Sequence, residues 1–296
     1  MGLYKPRNSF VLRRKDAKRR MDGLLPGVSD SLKETVDAGL DLLGRRITAG
    51  HETFTAWAIK DTWRELLEAA DAVDILVRAG AVGPSRIIGR TVLELAATIQ
   101  YLVDRNDERV GAVRSLAMRM EFERQVMKAF SDVPTIPEEI HAELDRIHKE
   151  TVNAQYSSWA QMKASEELKE LPAGAPWYAV FDGPSGPAAR LRQAGLDKAY
   201  EKFFVPWNWA VHGTTADSHS TSAEPKFHYR PLRHYGRDTA DKVLFVVGGA
   251  MRFGMVTADR YFFPRRSEEL AESMLDSYFE GLDSCPGDFS AAWDGE

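Results

Sequence analysis

The chain has 296 residues, 44% hydrophobic and 28% charged, enough apolar material for a sizeable core. A net charge of -5 argues against coating nucleic acid through global charge and leaves only local patches open. The single cysteine, Cys285, excludes an internal disulfide framework and a Cys-built zinc site, and points to a reducing, cytoplasmic compartment.

Residues 1–26 read as a basic arm, with Lys5, Arg7, Arg13, Arg14, Lys15, Lys18, Arg19 and Arg20 set against Asp16 alone. Residues 267–296 read as an acidic helix or tail without lysine or arginine, so the arm has either the tail or nucleic acid as its partner. Gly2 is followed by Pro6 where a myristoylation signal needs Ser or Thr, and no apolar secretory core is expected at the N-terminus.

Between these ends the period is helical. "SDSLKETVDAGLDLLGRR" opens on Ser29 or Ser31 as N-cap and repeats Leu32, Val36, Leu40 and Leu43 on one face. "TFTAWAIKDTWRELLEAADAVDILVRAG" runs to a glycine stop at Gly80, and "GPSRIIGRTVLELAATIQYLVD" follows with Ser85 as cap. Further helices are expected over 109–130 and after Pro137. The apolar run 243–262 carries Arg252, Asp259 and Arg260, so it reads as a buried helix and no membrane is expected. Its Gly248, Gly249 and Gly254 suit close helix packing, since each costs about 1 kcal/mol in a helix interior. Two long stretches, 171–188 and 213–240, read as ordered loops. The expectation is an all-α, bundle-like single domain over 27–266 with two long loops.

Two groups of residues could carry chemistry. Arg86, Arg90 and Glu94 recur at i, i+4 and i+8 beside the stripe Ile88, Val92, Leu95, Ala96, Ile99 and Leu102. Their structural reading is an intrahelical ion pair, and their functional reading is a guanidinium oriented by Glu94 toward an anion. In "FVPWNWAVHGTT", Pro206 starts a helical turn, Asn208 and His212 share a face, and Gly213 ends the run. His212 then sits in the last turn, where the helix dipole favours imidazolium, and it either moves a proton or is satisfied by Asn208. Trp207, Trp209 and Thr214 flank the pair as candidate binding residues.

Gly195-Leu196, Tyr200, Phe203-Phe204 and His212-Gly213, with the Arg90-x-x-x-Glu94 helix, resemble a bacterial helical family catalogued as domain of unknown function 5677. The resemblance covers residues 60 to 260. More distantly, Asn208 and His212 are similar to the last two positions of the HEPN signature of helical ribonucleases and nucleotide-binding modules. Trp207 stands where that signature has an arginine. This likeness implies an RNA- or nucleotide-directed homodimer, a toxin or defence effector. His212 and Asn208 would be catalytic, and Arg90 or Arg86 would supply the missing phosphate clamp.

Two other readings stay open. One is a non-catalytic module binding a small anionic ligand or partner protein at a Trp207/Trp209 pocket. The other is a metal-dependent helical enzyme using Glu94 with His212 or the loop histidines. His141, Asp145 and His148 fall at i, i+4 and i+7 among charged neighbours, and Asp217, His219, His228 and His234 have no regular spacing. Neither cluster makes a zinc motif, so no metal and no cofactor is expected. Phosphate-binding loops, nucleophile elbows and dinucleotide fingerprints are missing from the sequence.

Overall fold

The computed structural model describes residues 18–19, 21, 23, 28–48, 53–131, 175–181, 183–211, 237–263 and 280. Among these residues all regular structure is helical, as the periodicity predicts. The long elements are α1 (Val28–Thr48), α2 (Phe54–Arg78), α3 (Val82–Val103) and α4 (Glu108–Ser131). A 3-10 turn at Trp177–Ala179 precedes α5 (Pro187–Gln193) and α6 (Asp197–Ala199). A π turn at Tyr200–Phe204 leads into α7 (Val205–Val211), and α8 (Arg237–Phe262) follows.

Local chemistry sets the helix ends. Thr53 is extended, and its Oγ1 accepts the Ala56 N–H at 3.1 Å, capping α2. Gly80, at φ 75°, ends α2, and the Ala81 N–H reaches back to the Leu76 carbonyl at 2.7 Å. Asp107 Oδ1 accepts the Arg109 N–H at 2.9 Å at the start of α4. Ser85 departs from expectation. It lies inside the first turn of α3, fully buried, and its hydroxyl donates to the Val82 carbonyl at 2.7 Å, so it is not an N-cap.

The centre of the molecule is α3, packed between α2 and α8, with α1 against α2 and α8. One core gathers Trp63, Leu66, Leu93, Ile99, Trp207 and Met251. On α1, Leu32, Val36 and Leu43 are buried, but Leu40 is 48% exposed. Gly39 takes the inward position instead, where an added Cβ would lie 2.6 Å from Leu67 Cδ2. The helix can thus press its backbone against α2. Gly254 does the same on α8, with a Cβ position 2.7 Å from Leu66 Cδ2, whereas Gly248 has only ordinary contact with Leu32. Arg252 donates to Thr35 Oγ1 at 3.3 Å, tying α8 to α1. Among the described residues no helix is long and apolar enough to cross a membrane.

The described part of the first long loop is pinned by Tyr101 on α3. Its hydroxyl faces the carbonyls of Tyr178 at 2.9 Å and Val180 at 3.2 Å. A Cβ on Gly183 would fall 2.0 Å from the Tyr178 carbonyl oxygen, so only glycine fits that close approach. The basic arm before Lys18, residues 213–236 of the second loop, and the acidic tail apart from Glu280 lie outside the described residues.

Candidate functional site

The segment that reaches α3 from below is shaped by one glycine and one proline. Gly195, at φ +76°, follows α5, and the Leu196 N–H returns to the Leu191 carbonyl at 2.9 Å. That turn redirects the chain into α6. The π turn follows, with the Val205 N–H donating to the Tyr200 carbonyl, five residues back. Pro206 explains it. With no N–H, Pro206 cannot serve the Lys202 carbonyl four residues earlier, and its ring would clash there; a wider turn relieves both problems. The expectation that Pro206 begins the helical turn is therefore corrected, because the chain is already helical from Asp197 and Pro206 is the second residue of α7.

The widened turn sorts the aromatics. Phe203 and Trp207 point into the core with ring centroids 5.8 Å apart, while Tyr200 and Phe204 stack at 5.3 Å. Trp207 is fully buried, and a Cβ on Gly89 of α3 would lie 2.8 Å from its Cζ3. It seats α7 on α3 and offers no face to a ligand, which corrects its expected place in a binding pocket. The residue that replaces the signature arginine is a packing residue.

Asn208, one residue on, meets α3 with its polar group. Arg90 Nη1 donates to Asn208 Oδ1 at 2.5 Å. On the other side Arg90 Nε donates to Glu94 Oε1 at 3.0 Å, and the guanidinium lies 4.6 Å above the Phe204 ring. A carboxylate, an amide and an aromatic face thus fix one planar cation from three directions, and its side chain stays 25% exposed. Arg86 lies one turn earlier on α3, partly buried.

A second arginine enters the same cluster. Arg190 of α5 has a side chain only 7% exposed, with Nη2 at 3.9 Å from Glu94 Oε2. That separation exceeds a hydrogen bond. Its guanidinium lies over Tyr178 at 4.7 Å and Trp177 at 5.6 Å, and its Nε is buried without a hydrogen-bond partner. Burial lowers the Arg190 pKa from the usual arginine value, with Glu94 opposing. Burial likewise raises the Tyr178 phenol, and Arg190 opposes that rise.

Glu94 consequently stands between two guanidiniums. Sequence reasoning pairs it with Arg90, because i and i+4 are helix neighbours. It misses Arg190, since nothing in "ARLRQ" separates Arg190 from Arg192, and burial alone distinguishes them. Of the expected site residues, the structure brings together Arg90, Glu94 and Asn208. His212, Thr214 and the side chain of Trp209 lie outside the described residues, as do His141, Asp145, His148, Asp217, His219, His228 and His234. Among the described residues no group of three or more His, Cys, Asp or Glu side chains is placed to hold a metal ion.

The fold and this junction define an all-α protein with paired arginines around one carboxylate. A model of the "Family of unknown function (DUF5677)" matches residues 57–226, more than half of the chain, and the protein belongs to that family. No curated protein and no solved structure matches it.

Proposed function

We propose that this protein acts on RNA or a nucleotide at the α3–α7 junction, as a HEPN-like protein whose phosphate clamp is Arg90. The observation that carries the reading is the hydrogen bond from Arg90 to Asn208, which brings an arginine from another element to the first residue of the Asn-x-x-x-His sequence. Glu94 and Asn208 occupy Nε and Nη1, so Nη2 is the group presented to a phosphate oxygen. His212, four residues beyond Asn208 in sequence, is the proton carrier in this reading. The ribose 2′-oxygen bonds to phosphorus as its proton leaves, the bond to the 5′-oxygen breaks, and that oxygen takes up a proton. No metal enters this chemistry. The resemblance to HEPN modules also supports a homodimer and a toxin or defence role, and the single cysteine fits a cytoplasmic location.

The test compares wild type with His212→Ala and Arg90→Ala on a pool of tRNA and single-stranded RNA with EDTA present. Cleavage lost in both folded variants is expected, and no cleavage by wild type overturns the catalytic part. A second reading, a non-catalytic module for a small anionic ligand, is favoured by Arg190, which is buried with an unpartnered Nε. It predicts binding without turnover.

A further inference from the structure

Beside Glu94 and Arg190 a cavity of about 520 Å³ lies among α2, α3, α4 and the 3-10 turn. Its volume falls within the range of small-ligand sites. Two large aromatic side chains in its lining are left open to solvent: Trp57 of α2 is 43% exposed and Phe122 of α4 is 56% exposed. Trp177 adds a third ring from the 3-10 turn. The Arg119 guanidinium lies 5.5 Å from the Trp57 ring and 5.4 Å from Phe122, so the open rings already have a planar cation beside them.

The polar lining is specific as well. Glu94 Oε1 is engaged by Arg90, but Oε2 reaches Arg190 only at 3.9 Å. Arg190 Nε is buried and unpartnered. Arg190 Nη2 and Glu94 Oε2, a donor and an acceptor, therefore stand 3.9 Å apart without a hydrogen bond between them, on two residues that line a cavity with aromatic rings. A flat molecule with an adjacent donor and acceptor on one edge complements that arrangement. Nucleobases have this property, and they stack on aromatic faces. Asn208 connects to Glu94 through Arg90, and neither Asn208 nor Arg90 is among the residues that line the cavity.

We infer that this cavity is a nucleobase subsite, in which Trp57 stacks on the ring while Glu94 Oε2 accepts from, and the Arg190 guanidinium donates through Nη2 to, the base edge. The inference rests on the RNA or nucleotide reading above and assigns the base-recognition part of that site.

Equilibrium dialysis with the four common ribonucleosides and their 5′-monophosphates tests it without requiring cleavage. Wild type is expected to retain at least one nucleoside. Trp57→Ala should weaken that binding by about tenfold or more, the share of one stacking aromatic, and Trp57→Phe should restore most of it. Arg190→Lys should weaken the preferred nucleoside most, by removing the planar guanidinium donor beside Glu94 Oε2. Thermal unfolding of each variant checks that the fold survives. No retention of any nucleoside or monophosphate overturns the subsite, as does binding that Trp57→Ala and Arg190→Lys leave unchanged. Nucleoside binding that depends on Trp57, with no RNA cleavage, supports the subsite and sinks the nuclease reading. RNA cleavage without nucleoside binding does the reverse.

Discussion

Arg90 of α3 and Asn208 of α7, 118 residues apart in sequence, share a hydrogen bond of 2.5 Å. The bond joins a charged donor to a half-buried amide, so each residue's stability effect should depend on the other. Arg90→Ala and Asn208→Ala are each expected to cost about 1–2 kcal/mol. The double variant should cost less than their sum by about 0.5–2 kcal/mol. Urea unfolding of the four proteins measures the coupling, and strict additivity would sink the bond.

Gly89 is held small by Trp207. Alanine normally improves a helix interior by about 1 kcal/mol over glycine. At position 89 its Cβ would meet Trp207 Cζ3 at 2.8 Å and Val247 Cγ2 at 3.1 Å, and the indole is fully buried. Gly89→Ala should therefore destabilise by about 1–3 kcal/mol. Gly44, exposed in α1 with nothing within 4 Å of its Cβ position, is the control. Gly44→Ala should stabilise by about 0.5–1 kcal/mol. Equal signs for the two substitutions would contradict the packing described.

Gly195 poses a different constraint. Space around it is open, yet its φ is +76°. Gly195→Ala should cost about 1 kcal/mol through backbone strain alone, and Gly195→Asn less than Ala. Melting temperatures that rank Ala below Asn below Gly would fit this; an unchanged Ala variant would not.

Tyr261 of α8 predicts a dependence on alkaline pH. Its hydroxyl donates to Glu108 Oε2 at 2.7 Å and meets Thr53 Oγ1 at 3.0 Å. Burial, aided by Glu108, raises its pKa from 10.0 to about 12. A raised folded-state pKa means the protonated phenol contributes stability below pH 10, and that contribution fades as pH rises through 12. Tyr261→Phe should thus be less stable than wild type at pH 8, with the gap closing between pH 10 and 12. Denaturant titrations across that window decide it; a constant gap would refute the assignment.

Arg190 should matter more for binding than for folding. Its buried, unpartnered Nε is unfavourable, while its place over Tyr178 and Trp177 is favourable. These opposing contributions are each about 1–2 kcal/mol. Arg190→Met should change unfolding stability by less than about 1 kcal/mol. A loss of several kcal/mol would make Arg190 a structural residue.

Much of the architecture was legible in the sequence because helix formation is local. The spacing of Val92, Ala96, Ile99 and Leu102 marks the buried stripe of α3, and Gly80 marks the end of α2. The Arg90–Glu94 pair follows from helical spacing alone. Residues that differ only in environment were not legible. Trp207 read as a pocket wall until its contact with Gly89 showed it sealed in the core. Leu40 fits the periodic stripe of α1, yet the approach of α2 turned the buried face toward Gly39.

Periodicity and residue chemistry along the chain were enough to define an all-α protein, where most of its helices run, and which carboxylate steadies Arg90. That Asn208 meets that arginine, that Arg190 rather than Arg192 is buried beside Glu94, and that an aromatic cavity adjoins Glu94 and Arg190 came from the packing of the helices. The reason is range. Helical neighbours are fixed by a 3.6-residue period, whereas contacts between α3, α5 and α7 depend on how the chain turns at Gly195 and widens before Pro206.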